Sequence, residues 1–115
     1  MRRGNKRKFG REKKPREVLL RSLATALIQN GRIKTTTAKA KTLAQYFDRL
    51  MTLAKRQNIQ ARREILKQIG IKASDKLIKD IAPNSLERSG GYTKIVRLGQ
   101  RRSDAAPMTF IEIIK

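Results

Sequence analysis

Positive charge constrains this chain more than any other feature. Its 115 residues carry 29 lysines and arginines against nine acids, a net charge of +20. A small domain ordinarily carries a net charge of magnitude about 2–8. Self-repulsion at +20 opposes a compact state unless a polyanion neutralises it. The sequence therefore demands an anionic partner, with nucleic acid ahead of an anionic membrane surface.

The missing residue types narrow the chemistry. Without Cys there is no disulfide framework, thiolate nucleophile or Cys-ligated zinc. Without His there is no Ser-His-Asp triad, imidazole base or histidine metal ligand. Asp48, Glu64, Asp75, Asp80 and Glu87 are scattered, with no spacing that argues a catalytic or metal-binding carboxylate pair. The expectation is a protein without catalysis, metal or cofactor, and without a small-molecule substrate. No apolar run approaches the ~18 residues of a membrane span. The basic N-terminus lacks the apolar stretch of a secretory signal.

Charge is unevenly spread. Residues 1–16 hold nine basic residues, Arg2, Arg3, Lys6, Arg7, Lys8, Arg11, Lys13, Lys14 and Arg16, against Glu12 alone, a balance of +8. Gly4, Gly10 and Pro15 interrupt any helix, and Phe9 is the only large apolar side chain after Met1. Such a segment buries too little surface to offset its ordering entropy. It reads as a partner-binding extension that orders on its anionic partner, ahead of a solubility tail. Residues 17–115 read as one globular domain.

Within that domain, Leu20, Leu23, Ala24, Leu27 and Ile28 recur on one helical face, stopped by Asn30-Gly31. Arg32–Thr35 alternates as a brief strand. Thr36 or Thr37 caps a second helix whose apolar face is Ala40, Leu43, Ala44, Phe47, Leu50, Met51 and Ala54. Asn58 caps a third, carrying Ala61, Ile65, Leu66 and Ile69 and closed by Gly70. Ser74 is expected to cap a short fourth, with Leu77, Ile78 and Ile81, ended by Pro83. Tyr92–Leu98 and Met108–Ile114 alternate as two long strands joined by the polar connector Gly99–Ala106. The order α-β-α-α-α-β-β predicts an α+β fold of two layers, helices on a small three-stranded sheet.

Three places in the domain concentrate cations. Lys34, Thr35, Thr36, Lys39 and Lys41 surround the start of the second helix, where unpaired N–H groups favour a phosphate; plain capping by a threonine is the alternative. Arg88-Ser89-Gly90-Gly91-Tyr92-Thr93-Lys94 offers Arg88 and Lys94 to phosphates. Tyr92 there either stacks on a base or, the favoured reading, packs on the sheet edge. Arg101-Arg102 on the strand connector suits bidentate phosphate contacts, with Asp104 expected to fix the turn. Arg21 on the first helix and Arg62-Arg63 on the third complete the candidate set.

Lys34–Lys41, Arg88–Ile95, and Arg102–Met108 with the closing Ile111-Glu112 resemble the bacterial large-subunit ribosomal protein family numbered seventeen. So do Met1-Arg2 and Lys8-Phe9-Gly10-Arg11. The motifs follow in order over essentially the whole chain. The resemblance implies an integral, non-catalytic component of the 50S subunit that binds 23S rRNA. It implies a cytoplasmic, ribosome-bound protein near the polypeptide exit tunnel, with ribosomal neighbours including large-subunit protein thirty-two. It further implies that the sheet is mixed. The family's N-terminal histidines are absent, and Lys13-Lys14-Pro15-Arg16 stands where a His-Arg pair is usual. Ser103 replaces a common Gly and Lys94 a common Arg. A DNA-binding architectural protein shares the charge but needs a groove-reading helix, usually in a dimer. An RNA-processing enzyme needs a carboxylate cluster, and a membrane-active protein more interfacial aromatics.

Overall fold

The computed structural model describes residues 13–87 and 90–114. Helix α1 runs Lys13–Asn30, strand β1 Arg32–Thr36, helix α2 Thr37–Lys55 and helix α3 Ile59–Lys76. A single π-helical turn, Leu77–Ile81, and a 3-10 turn, Ala82–Ser85, follow. Strands β2, Thr93–Gln100, and β3, Pro107–Ile113, close the chain order. The expected α+β architecture of helices on a three-stranded sheet is present.

α1 takes in Lys13–Arg16, which the sequence reading placed in the extension. Pro15 falls in the first turn, where its missing N–H leaves no intrahelical bond unmade. Gly31, at φ +79°, ends the helix and donates its N–H to Leu27 O at 2.7 Å. A second closure comes from far along the chain: Lys76 Nζ donates to Gln29 O at 2.9 Å, a cation set against the helix's negative end.

α2 shows why its periodicity was the clearest in the sequence. Ala40, Leu43, Phe47, Leu50, Met51 and Ala54 are all buried, and Ala44 is half-buried beside them. Thr36 is the cap, its hydroxyl accepting the Lys39 N–H at 3.4 Å. Asn58 caps α3, accepting the Ala61 N–H at 2.7 Å.

Two expectations about α3 need correction. Leu66 is 41% exposed and does not share the apolar face of Ala61, Ile65 and Ile69. Ser74 caps nothing. It lies inside the helix, 1% exposed, and donates its hydroxyl to Gly70 O at 2.5 Å. Gly70 (φ +83°, ψ 176°) breaks the helix, and the next helical turns begin directly after it. A serine that back-bonds four residues and one that caps three residues look alike in sequence.

The sheet order is β1-β3-β2, antiparallel throughout. The implied mixed sheet is thus corrected: β1 and β2 run the same way but never touch, because β3 lies between them in the opposite sense. β2 is one residue longer than its partner at Leu98, the extra residue of a β-bulge, and Gly99 takes φ +95° to accommodate it. Ile33, Thr35, Thr109, Ile111 and Ile113 face the helices, with Thr109 and Ile111 fully buried. The core joins Leu27 and Ile28 of α1, Phe47 and Met51 of α2, Ile65 of α3, Leu77 and Ile111. Thr37 stitches the layers: its hydroxyl lies 2.6 Å from that of Thr109.

Candidate nucleic-acid interface

Strand alternation decides which polar side chains of β1 reach solvent. Arg32 and Lys34 are exposed, while Thr35 points inward, 8% exposed and opposite Thr109. Thr35 therefore presents nothing to a phosphate, contrary to its place in the candidate set. Thr36 is half-buried and its oxygen is engaged by Lys39 N–H, so capping is the role the geometry shows. Lys39 is half-buried and Lys41 exposed on the first turns of α2.

Tyr92, though in the candidate set, follows the favoured packing reading. It is 3% exposed, packed in the core beside β2. Its hydroxyl accepts from Lys55 Nζ at 2.8 Å, and that ammonium lies 5.2 Å from the ring centroid. A ring held there has no face open for a base. Packing against the sheet, the favoured reading, is the one that the structure shows.

The hairpin tip is built by a carboxylate. Arg101 donates through Nε to Asp104 Oδ1 at 3.0 Å and through Nη2 to Oδ2 at 2.8 Å. Asp104 Oδ1 also accepts the Ala106 N–H at 3.2 Å, and Arg101 N–H bonds Ala106 O at 2.8 Å. The Arg101 hydrogen bond, with the Ala106 N–H after it, holds the Asp104 carboxyl at about 2, well below its usual range. Asp104 fixes the turn as its sequence position implied. Arg101 is thereby shared between turn and surface, while the exposed Arg102 beside it has no hydrogen bond or ion pair to another described residue.

Register brings some distant candidates together. Thr36 pairs with Met108, and Gln100 with Pro107, so the start of α2 and the hairpin tip occupy the same end of the sheet. Lys39, Lys41, Arg101 and Arg102 accordingly gather at that end. Lys34 and Lys94 share the outer face of the sheet with Arg32, which sequence reasoning did not single out. Phe110, on the central strand of that face, was also missed. The alternation of β3 separated Phe110 from Thr109 and Ile111, but only strand pairing shows which set faces the helices.

Other candidates stand apart. Arg62 is tied to Asp75 at 2.7 Å across the two halves of α3, with Arg63 exposed beside it. Arg21 is half-buried, 3.6 Å from Glu17, in a groove lined also by Tyr46, Arg49 and Gln68. Tyr46 donates to Gln68 Oε1 at 2.8 Å, and burial raises its pKa. Arg16 is half-buried on α1. Arg2, Arg3, Lys6, Arg7, Lys8, Arg11 and Arg88 lie outside the described residues, as do the side chains of Lys13 and Lys14.

Ion pairs leave most of the charge unmatched. The described residues hold four: Arg21–Glu17, Arg32–Glu112, Arg62–Asp75 and Arg101–Asp104. Among them there is also no group of three potential metal-ligating side chains, and no helix long and apolar enough to cross a membrane.

Comparison with known proteins meets this picture of cationic surfaces on an α+β body. A family model described as ribosomal protein L17 matches residues 19–114. The chain is 43% identical over 109 residues to the large ribosomal subunit protein bL17 of Clostridioides difficile, covering 94% of this chain and 96% of that one. It is 44% identical over 116 residues to the protein of the same name from Halalkalibacterium halodurans, covering 93% and 97%.

Proposed function

The chain belongs to the ribosomal protein L17 family, and on that premise we propose that it holds 23S rRNA in place near the polypeptide exit tunnel. It is a structural, non-enzymatic constituent of the large ribosomal subunit, ribosome-bound in the cytoplasm, and its partners are rRNA and other ribosomal proteins. Large-subunit protein thirty-two is the neighbour we propose. The observation that carries the RNA contact is the excess of cations over the four ion pairs that the described residues make.

Contact is divided by position. Lys39, Lys41 and Arg102 meet phosphates at one end of the sheet, Arg101 adds its free edge, and Lys34 and Lys94 meet them on the outer face. Arg88, Arg63 and the basic residues of positions 1–16 extend the footprint. Each neutralised phosphate releases counterions, so affinity depends on salt. A-form helices hide their base edges in a deep groove, so the folded body docks chiefly by shape and phosphate contact.

The test is binding of the full chain to 23S rRNA as ionic strength rises. With about eight phosphate contacts, affinity falls by about 10³–10⁵ between 50 and 200 mM salt. A nearly flat plot of log K against log salt rejects the phosphate account. Release of the tagged protein from large subunits at mild salt argues against an integral component.

A further inference from the structure

Among the described residues, the helices cover one face of the sheet and leave the other open, and the open face is not uniformly polar. Cross-strand register lays it out in two rows. One row reads Arg32, Glu112, Lys94, and the next reads Lys34, Phe110, Val96. Arg32, Lys34 and Lys94 are exposed, while Phe110, Val96 and Glu112 are half-buried. Phe110 thus stands on the central strand, ringed by three cations and one carboxylate.

That ring does no work in the core, which lies on the other side of β3 with Thr109 and Ile111. The solvated face of an antiparallel sheet is ordinarily polar. The Arg32 guanidinium carbon lies 4.2 Å from the Phe110 ring centroid, within stacking distance. Its carboxylate neighbour Glu112 is 3.9 Å away, at the outer limit of ion pairing. Arg32 is therefore placed by the aromatic ring more than by the acid. A guanidinium over a ring makes a flat cationic platform, and bases stack on arginine planes and on aromatic rings alike. Lys34 and Lys94 flank that platform from opposite edge strands, where the phosphates on either side of a stacked base would fall.

We propose that the outer face of the sheet receives an unpaired RNA base, stacked on the Arg32–Phe110 pair, with Lys34 and Lys94 meeting the adjoining phosphates. The inference rests on the RNA-binding reading above and adds to it a base contact that the phosphate account does not require. The three-to-one excess of cations over acids around Phe110 favours RNA over an apolar or basic protein surface. The base must be splayed from a loop or bulge, since a paired base offers no free π-face.

The experiment compares binding of the full chain to a short single-stranded RNA and to the same strand made abasic, across a salt series. The expected result is a preference of about tenfold for the base-bearing strand. Arg32→Lys keeps the charge but loses the plane, and Phe110→Leu keeps apolar bulk but loses the ring. Each is expected to erase most of that preference while leaving the salt slope unchanged. Lys34→Gln is expected to do the reverse, lowering the slope by about one and keeping the preference. Far-ultraviolet circular dichroism confirms that the variants fold, and Arg32→Lys carries the test should Phe110→Leu not. Equal binding of the two strands by the unaltered chain overturns the base contact, as does a preference retained in both variants. If salt-dependent binding to 23S rRNA persists in either case, the phosphate reading stands alone. Failure to bind rRNA at all removes both.

Discussion

Asp104 is the carboxylate on which the hairpin tip turns, and its protonation is a local reporter of that turn. The Arg101 guanidinium and the Ala106 N–H favour its charged form, lowering its pKa from 3.8 to about 2. A depressed carboxylate contributes stability that is present above its unfolded value and lost as pH falls through the folded one. The turn should therefore remain intact down to about pH 4 and loosen on the way to about pH 2. Carboxyl titration followed by NMR should place Asp104 near that lower value. In Arg101→Gln the midpoint should climb towards the ordinary carboxylate range, and an unmoved midpoint would count against the pairing. The role of Asp104 was legible because an acid in a basic, polar connector has few other uses. The inward orientation of Thr35 was equally legible, since it alternates in phase with Ile33 and out of phase with Arg32 and Lys34. The side of Phe110 was not, because both faces of β3 carry apolar residues and only strand pairing tells them apart.

At the scale of elements, periodicity and caps carried well where one signal had one meaning. The α2 stripe from Ala40 to Ala54 and the cap at Asn58 are where the spacing put them, and of the two threonines offered for α2 the cap is Thr36. α3 misled because Gly70 and Ser74 each admit two readings. Gly70 adopts φ +83° with an extended ψ, a conformation essentially reserved to glycine. A Cβ there meets no atom within 4 Å, so substitution is penalised by the backbone and not by crowding. Gly70→Ala should accordingly destabilise the domain by about 1–3 kcal/mol in urea unfolding. Helix content should change little. A loss near zero would show that the bend relaxes into a continuous helix. The bend positions Asp75 for Arg62 and Lys76 for the end of α1, so the same substitution tests how far those two contacts depend on it.

Across the whole molecule, the helix that follows the basic residues 1–12 in sequence is long. α1 has 18 residues and spans about 27 Å at 1.5 Å per residue. Its last residue adjoins β1, so its first residue lies at the end away from that strand. Lys13, the first described residue, therefore begins α1 away from β1. Removing residues 1–12 spares every described element and takes away six cations, Arg2, Arg3, Lys6, Arg7, Lys8 and Arg11. We expect the truncated chain to melt cooperatively near the temperature of the full one. It should nevertheless fail to enter large subunits during reconstitution. Normal incorporation would reduce the segment to a solubility tail. The +20 balance was readable at once, but its layout required the fold, because sheet register and helix bends decide which cations meet.

The strand order also sets a clock. β1 emerges early in synthesis, yet among the described residues its only strand partner is β3, and Thr37 waits for Thr109 across 72 residues. At roughly 5–20 residues per second, ribosomes take about 4–14 s to supply that partner. Throughout that interval Ile33 and Thr35 have no β3 to pair with, the condition in which a strand edge is open to another chain. Arg32 and Lys34 alternate with them along β1, and like charges on two nascent strands keep such edges apart. The two cations proposed to meet RNA thus also keep the segment from its copies before any RNA is bound.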